Sequence, residues 1–215
     1  IYRHVWLALK HPVHIDVMGG IYITTPVITE NMAEVKVETA IVNSGNDDES
    51  FDLRTELSDP SGRVVATVTA KYEAASGQTI NAMQEILVKK PSLWSVDEPE
   101  LYTAKTLVLI QDNVVDEMAT HFGIRSIQTD AQNGFTLNGK YVELIGGCIH
   151  HDNGPLGAAS IDRAEERKIE VLKSSGFNAI RTAHNPPSRA LLEACDRLGI
   201  RGINEIFDTW ETAKR

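Results

Sequence analysis

Cysteine is scarce: the 215 residues hold two, Cys148 and Cys195. They stand far apart, so they make neither a C-x-x-C metal pair nor a disulfide framework, and they leave the redox compartment open. Basic residues are outnumbered, 21 Lys+Arg against 30 Asp+Glu, for a formal charge of −9. A nucleic-acid binder would show a basic face, so no nucleic-acid partner is expected. No run of about 18 apolar residues occurs, and no membrane span is expected. The opening Ile1-Tyr2-Arg3 lacks both an initiator Met and a charged-then-apolar leader. An apolar stretch, Val5-Trp6-Leu7-Ala8-Leu9, follows almost at once, whereas natural termini are usually polar and loosely held. The chain therefore reads as a piece cut from a longer protein, which leaves its localisation open.

What is present is globular: 42% hydrophobic and 24% charged, enough for one or two domains with buried cores. Residues 20–126 have a strand rhythm. In residues 33–42, Val35, Val37, Thr39 and Ile41 fall on one face, and Glu34, Lys36 and Glu38 on the other. That period of two predicts a strand with one wet face. Residues 51–57 repeat it, Asp59-Pro60-Ser61-Gly62 is a turn cluster, and residues 63–70 alternate again. Further strands are expected over 21–25, 82–88, 104–110 and 115–122. About seven short strands without a helical period predict an immunoglobulin-like β-sandwich.

After Thr129 the rhythm changes. Residues 134–140 read as a hairpin turning at Asn138-Gly139, and residues 142–147 as a strand. Residues 162–175 read as a helix with Asp162 as its cap, a stripe of Ala164, Ile169 and Leu172, and Gly176 as its stop. A strand over 178–181, a helix over 188–198 ended by Gly199, and a strand over 200–203 complete the pattern. Such alternation predicts parallel βα units. Three units are too few for a closed (β/α)8 barrel, which takes about 250 residues, so the barrel reads as truncated at its C-terminal end.

In such barrels the chemistry sits where strands end. His150-His151-Asp152 follows the first parallel strand, Arg181-Thr182-Ala183-His184-Asn185 ends the second, and Asn204-Glu205 with Asp208 and Trp210 ends the third. Polar groups delivered to one rim by three strands are worth more than any single motif. One reading is a metal site of histidines and carboxylates. Against it, His150 and His151 are adjacent, and adjacent strand residues face opposite ways. The other reading is a sugar site, with His, Asp, Asn and Arg meeting hydroxyls and Trp210 offering an apolar face.

With these motifs in hand, the sequence resembles glycoside hydrolase family 2, the β-galactosidase and β-glucuronidase family. Ile1-Tyr2-Arg3-His4-Val5-Trp6-Leu7 is similar to the end of that family's N-terminal jelly roll. Trp94-Ser95, Pro99-Glu100-Leu101-Tyr102 and Phe122-Gly123-Ile124-Arg125 are similar to its sandwich. Phe135 to Lys140, His150-His151-Asp152 and Asn178 to Pro186 are similar to the opening of its catalytic barrel. The stretch from His150 to Ala159 is most similar to the β-galactosidase-like branch. The resemblance implies three parts: residues 1–19 as the last strand of the jelly roll, 20–127 as the sandwich, and 128–215 as the start of the barrel.

For function, the resemblance implies a retaining exo-β-glycosidase acting on a β-galactoside or related carbohydrate. It implies sugar-contacting positions at His150, Asp152, His184 and Asn185, and an Arg181 that steadies the nucleophilic carboxylate. Glu205 matches a residue that ligates magnesium in some members and is counted with the substrate-binding set; no cofactor is required. Two departures stand out: the family usually has Asp-Glu where this chain has Asn204-Glu205, and His151 stands where many members have Glu. The acid/base and the nucleophile are expected beyond Arg215, so the chain alone is expected to be inactive. Self-association is compatible with an open parallel edge. The rival reading is a non-catalytic spacer or interaction module built on the sandwich.

Overall fold

The computed structural model describes residues 3–206. Asp208 and Trp210, both singled out above, lie outside the described residues. The chain divides into two compact units.

The sandwich unit runs over 7–93 and 100–126. Its strands are β1 (Val13–Ile15), β2 (Ile21–Ile28), β3 (Met32–Asn43), β4 (Glu49–Ser58), β5 (Val64–Ala74), β6 (Thr79–Lys89), β7 (Tyr102–Ile110) and β8 (Asn113–Phe122). In one sheet β3 lies between β6 and the pair β1 and β2; the other has the order β5-β4-β7-β8. Every pairing is antiparallel. The expected alternation is what buries: Val35, Val37 and Ile41 are fully enclosed while their neighbours stay partly wet.

Two apolar clusters fill the space between the sheets. Val35, Val37, Leu57, Ile86 and Tyr102 belong to one, and Ile15, Ile41, Phe51, Leu53 and Val108 to the other. Along the strands, the position between the clusters is polar in each case: Thr39, Thr55, Gln84 and Thr106, all buried. Thr55 Oγ1 donates to Gln84 Oε1 at 2.6 Å, and Gln84 Nε2 donates to the Leu53 carbonyl at 2.9 Å. The Thr106 hydroxyl lies 3.2 Å from that of Thr55. Thr55, Gln84 and Thr106 are bonded as buried polar groups usually are, whereas the buried Thr39 Oγ1 has no hydrogen-bond partner among the described residues.

The expected boundaries need two corrections. Val13–Ile15 pairs with β3, so the sandwich takes in residues placed upstream of its expected start at Gly20. Three alternating residues, with Val13 and Ile15 buried, are too short a pattern to stand out in sequence. Residues 3–12, expected to contain a jelly-roll strand, join neither sheet; a strand exists only where a hydrogen-bonded neighbour does.

The second unit contains residues 127–206 of the described chain, together with residues 94–99 and Arg3 to Trp6. Strands β9 (Ile127–Asp130), β10 (Gly134–Leu137) and β11 (Lys140–Tyr141) form a small antiparallel sheet. The β10–β11 turn is the expected Asn138-Gly139, with φ of 52° and 74°, the left-handed pair that a two-residue hairpin requires. A three-stranded parallel sheet follows, in the order β12 (Gly146–Ile149), β13 (Ala179–Thr182) and β14 (Arg201–Asn204). Helices α1 (Asp162–Ser174) and α2 (Arg189–Leu198) connect them. Ile169, Ile180, Leu191, Ala194, Cys195 and Ile200 form the core.

Three local expectations shift. Strand β12 sits further along than residues 142–147, because Gly146 lies against the β13 backbone: a Cβ there would be 2.1 Å from the Ala179 carbonyl oxygen. Asp162 is the first helical residue, not the cap of α1; Ile161 holds the cap position without a side-chain bond. Helix α2 has a true cap, Ser188, whose side chain accepts from the Leu191 amide. The segment 94–99, read as sandwich sequence, belongs to the second unit. Trp94 Nε1 donates to the Asp196 carbonyl at 2.7 Å, and Lys173 Nζ to that of Val96 at 2.6 Å.

Candidate functional site

The register of the parallel sheet builds the site. Ile149, Thr182 and Asn204 are partners across β12, β13 and β14. His150, Ala183 and Glu205 therefore leave the sheet at one level, at the C-terminal ends of the strands. One residue deeper, Cys148, Arg181 and Ile203 are partners in turn. Parallel pairing puts all three strand ends on the same rim, and the outgoing loops start there.

Three predicted residues meet directly. Arg181 Nε donates to Glu205 Oε1 at 2.5 Å, and Arg181 Nη2 lies closer still to the same oxygen. His184 Nδ1 bonds the other oxygen, Oε2, at 2.9 Å. The Glu205 amide donates to Thr182 Oγ1 at 3.2 Å, which fixes the backbone that carries the carboxylate. His150 joins through its ring, edge-on to that of His184 with centroids 5.9 Å apart. Burial pushes the Glu205 carboxyl upward, but the bonds and charges of His184 and Arg181 outweigh it and hold the group below the usual carboxylate range. The bond to Glu205 leads the influences that raise Arg181, followed by its contact with Cys148.

The other two predicted residues are placed differently. Asn185 lines a small cavity with His150, His151, Glu165 and Thr182. Asp152 uses Oδ1 to accept the Gly154 amide at 2.8 Å and so folds its own loop. The His150 and His151 rings meet different partners, His150 the His184 ring and His151 the Arg3 guanidinium. Both histidines lie beyond Ile149, where β12 and its alternation end.

Sequence reasoning missed two contributors. Arg3 Nη2 donates to the Pro186 carbonyl at 2.7 Å and to His151 Nε2 at 2.8 Å, linking the two loops that flank the cavity. Cys148 is exposed, with Sγ 3.7 Å from Arg181 Nη1; its strand register with Arg181 was the available signal. Cys195 is buried in the core, its thiol pushed up to about 12 by burial and then by Asp196.

The donor set around Glu205 does not fit magnesium. That ion takes oxygen ligands in near-ideal octahedral geometry, whereas both oxygens of this carboxylate are engaged, one by a guanidinium and one by an imidazole. Among the described residues no group of three His, Cys, Asp or Glu side chains is arranged to hold a metal ion. The arrangement offers instead donors and acceptors of both signs on one rim, the chemistry that meets a polyhydroxylated ligand. No helix among the described residues is long and apolar enough to cross a membrane.

Comparison with known proteins places the chain in a family. Residues 13–125 match the family described as glycosyl hydrolases family 2, and residues 129–211 match the TIM barrel domain of the same family. The β-galactosidase BoGH2A of Bacteroides ovatus is 41% identical over 214 residues, covering 100% of this chain and 25% of that protein. The crystal structure of a glycosyl hydrolase family 2 member from Bacteroides cellulosilyticus is 45% identical, with a TM-score of 0.91, covering 96% of this chain and 26% of that one. A Bacteroides uniformis β-glucuronidase 2, covalently bound to cyclophellitol-6-carboxylate aziridine, is 30% identical with a TM-score of 0.84, covering 91% and 24%. The chain thus spans about a quarter of the length of these relatives. Its sandwich and its parallel βα units are those of the family's sandwich and barrel, and the chain belongs to glycosyl hydrolases family 2.

Proposed function

We propose that this chain carries the sugar-holding part of the rim of a retaining exo-β-glycosidase of the β-galactosidase-like branch, and is inactive alone. The observation that carries the reading is the joining of Arg181, Glu205 and His184 at the ends of two neighbouring parallel strands. His150, Asn185 and Asp152 are the further sugar-binding candidates. A retaining glycosidase needs two carboxyl groups about 5–5.5 Å apart: one protonates the leaving oxygen, the other forms a glycosyl intermediate that water hydrolyses. Glu205 faces a guanidinium and an imidazole rather than a second carboxylate. Its role here is to hold Arg181 and His184 in place, and the reacting pair is supplied from outside this chain. The covalent adduct of the B. uniformis relative supports a retaining course for the whole enzyme.

The test is a titration of the chain with methyl β-galactoside and methyl β-glucuronide, followed by the imidazole NMR signals. The galactoside is expected to move His150 and His184 and to leave His11, His14 and His121 of the sandwich unit in place. Movement with the glucuronide alone overturns the branch. Movement of neither rim histidine with either sugar overturns the sugar site.

A further inference from the structure

We infer that Glu165, a buried carboxylate on the first turn of α1, is a positioning residue that fixes the loop after β12 and, through it, His150. Acidic residues in a first helical turn normally face water, where they complement the helix dipole. Glu165 does not: it is 4% exposed and lies in the buried face of α1 with Ile169. An apolar side chain there would pack without the desolvation that a charge entails, so a carboxylate is favourable only through its partners.

Those partners all lead to one loop. Oε1 accepts from Asn153 Nδ2 at 2.9 Å and from Ser160 Oγ at 3.1 Å. Oε2 faces Lys168 Nζ, one turn along the helix, at 3.6 Å, and both side chains are largely buried. Lys168 Nζ in turn makes a long bond, 3.5 Å, to the His150 carbonyl. Glu165 and Lys168 thus hold the segment between β12 and α1 at its start, at Asn153 and near its end. That segment contains a single 3-10 turn, Gly154–Leu156. Its internal closures, among them Asn153 Nδ2 to the Ala159 carbonyl, the Asn153 amide to the Gly157 carbonyl and the Gly154 amide to Asp152 Oδ1, shape the loop but do not tie it to α1. The Glu165 side chain also lines the cavity shared by His150 and Asn185. The loop folds on its own bonds, and its position against α1 is set by those to Glu165 and Lys168.

This role rests on His150 being part of the sugar rim, but the experiment reads loop position and not sugar chemistry. In the 215-residue chain, Glu165→Ala is expected to shift the His150 imidazole signal and to speed exchange of the loop amides, residues 150–161, about tenfold or more, leaving Ile180 in β13 unchanged. Glu165→Gln keeps the Oε1 acceptor toward Asn153 and Ser160, so the His150 signal and the loop rates are expected to return toward the parent. A parent-like loop in the Ala variant overturns the proposal. So does equal acceleration of the loop and Ile180, which would make Glu165 a general support of the unit. If the Ala variant does not fold, Ser160→Ala removes one loop-side donor with Glu165 in place. Loss of one such bond predicts about fivefold faster exchange near residue 160, and no change there overturns the proposal. Should the loop respond while sugars move neither histidine, the positioning role stands and the sugar reading alone falls.

Discussion

Glu205 is the residue on which the rim turns, because one carboxylate joins two strand ends through Arg181 and His184. The carboxyl titrates below its ordinary value in the folded chain. The stabilisation from this pairing is therefore fully present above the ordinary glutamic acid range, and it is lost as pH falls through the lowered value. A 13C titration of the Glu205 carboxyl is expected to give a midpoint below that of a free glutamate. In Arg181→Ala the midpoint is expected to rise, since one bond and one charge are gone while burial remains. A midpoint unmoved by the substitution would show that Arg181 does not hold the carboxylate. At this scale the sequence was informative where strands end, since Arg181, His184 and Glu205 each stand at such a place. It was uninformative for Asp152, whose side chain folds its own turn, and for Glu165, where a Glu beside Arg163, Glu166 and Lys168 reads as solvated. Only the packing of α1 shows which face is inside.

Among elements, the sandwich strands show most clearly what alternation reveals and conceals. A period of two fixes which residues point inward, but it treats Thr39 and Thr55 like their Val and Leu neighbours. The buried polar layer through Thr55, Gln84 and Thr106 is set by the register between strands, which no single strand's pattern contains. The layer has a testable consequence. Thr55→Val is nearly isosteric, yet it leaves Gln84 Oε1 without its donor and the Thr106 hydroxyl without a neighbour. The expected loss is about 1–3 kcal/mol, read as a lower urea midpoint at unchanged slope. An unchanged midpoint would mean that the layer contributes nothing to stability. The segment 94–99 was equally hidden. Its residues follow sandwich strands in the chain, and only the bonds of Trp94 and Val96 to α2 and α1 assign them to the second unit.

For the molecule as a whole, the two units differ in how completely their sheets are covered. Strand β3 is flanked on both sides along its length. Strands β12 and β14 each have one neighbour among the described residues, and Ile203 in β14 is 55% exposed. Parallel sheets are stable when both faces and edges are covered. Amide exchange is therefore expected to be slow for residues 35–41 and distinctly faster for residues 201–204, with mass followed against concentration to detect pairing through the open edge. Equal or reversed protection would contradict the assignment of the weak region. The change from period two to βα alternation near residue 127 made this division legible from sequence, whereas the placing of residues 3–12 depends on sheets that alternation in those residues does not encode.

The central claim is that the chain holds sugar-binding groups of a family 2 rim without the reacting pair of carboxyl groups. A chromogenic β-galactoside assay on the purified chain, with Glu205→Gln alongside, tests it most directly. Without a paired acid and nucleophile, neither proton transfer nor covalent catalysis is available. The expected result is no release of chromophore above the blank from either protein. Turnover by the parent chain that disappears in the Gln variant would contradict the account, since Glu205 would then be a reacting carboxylate.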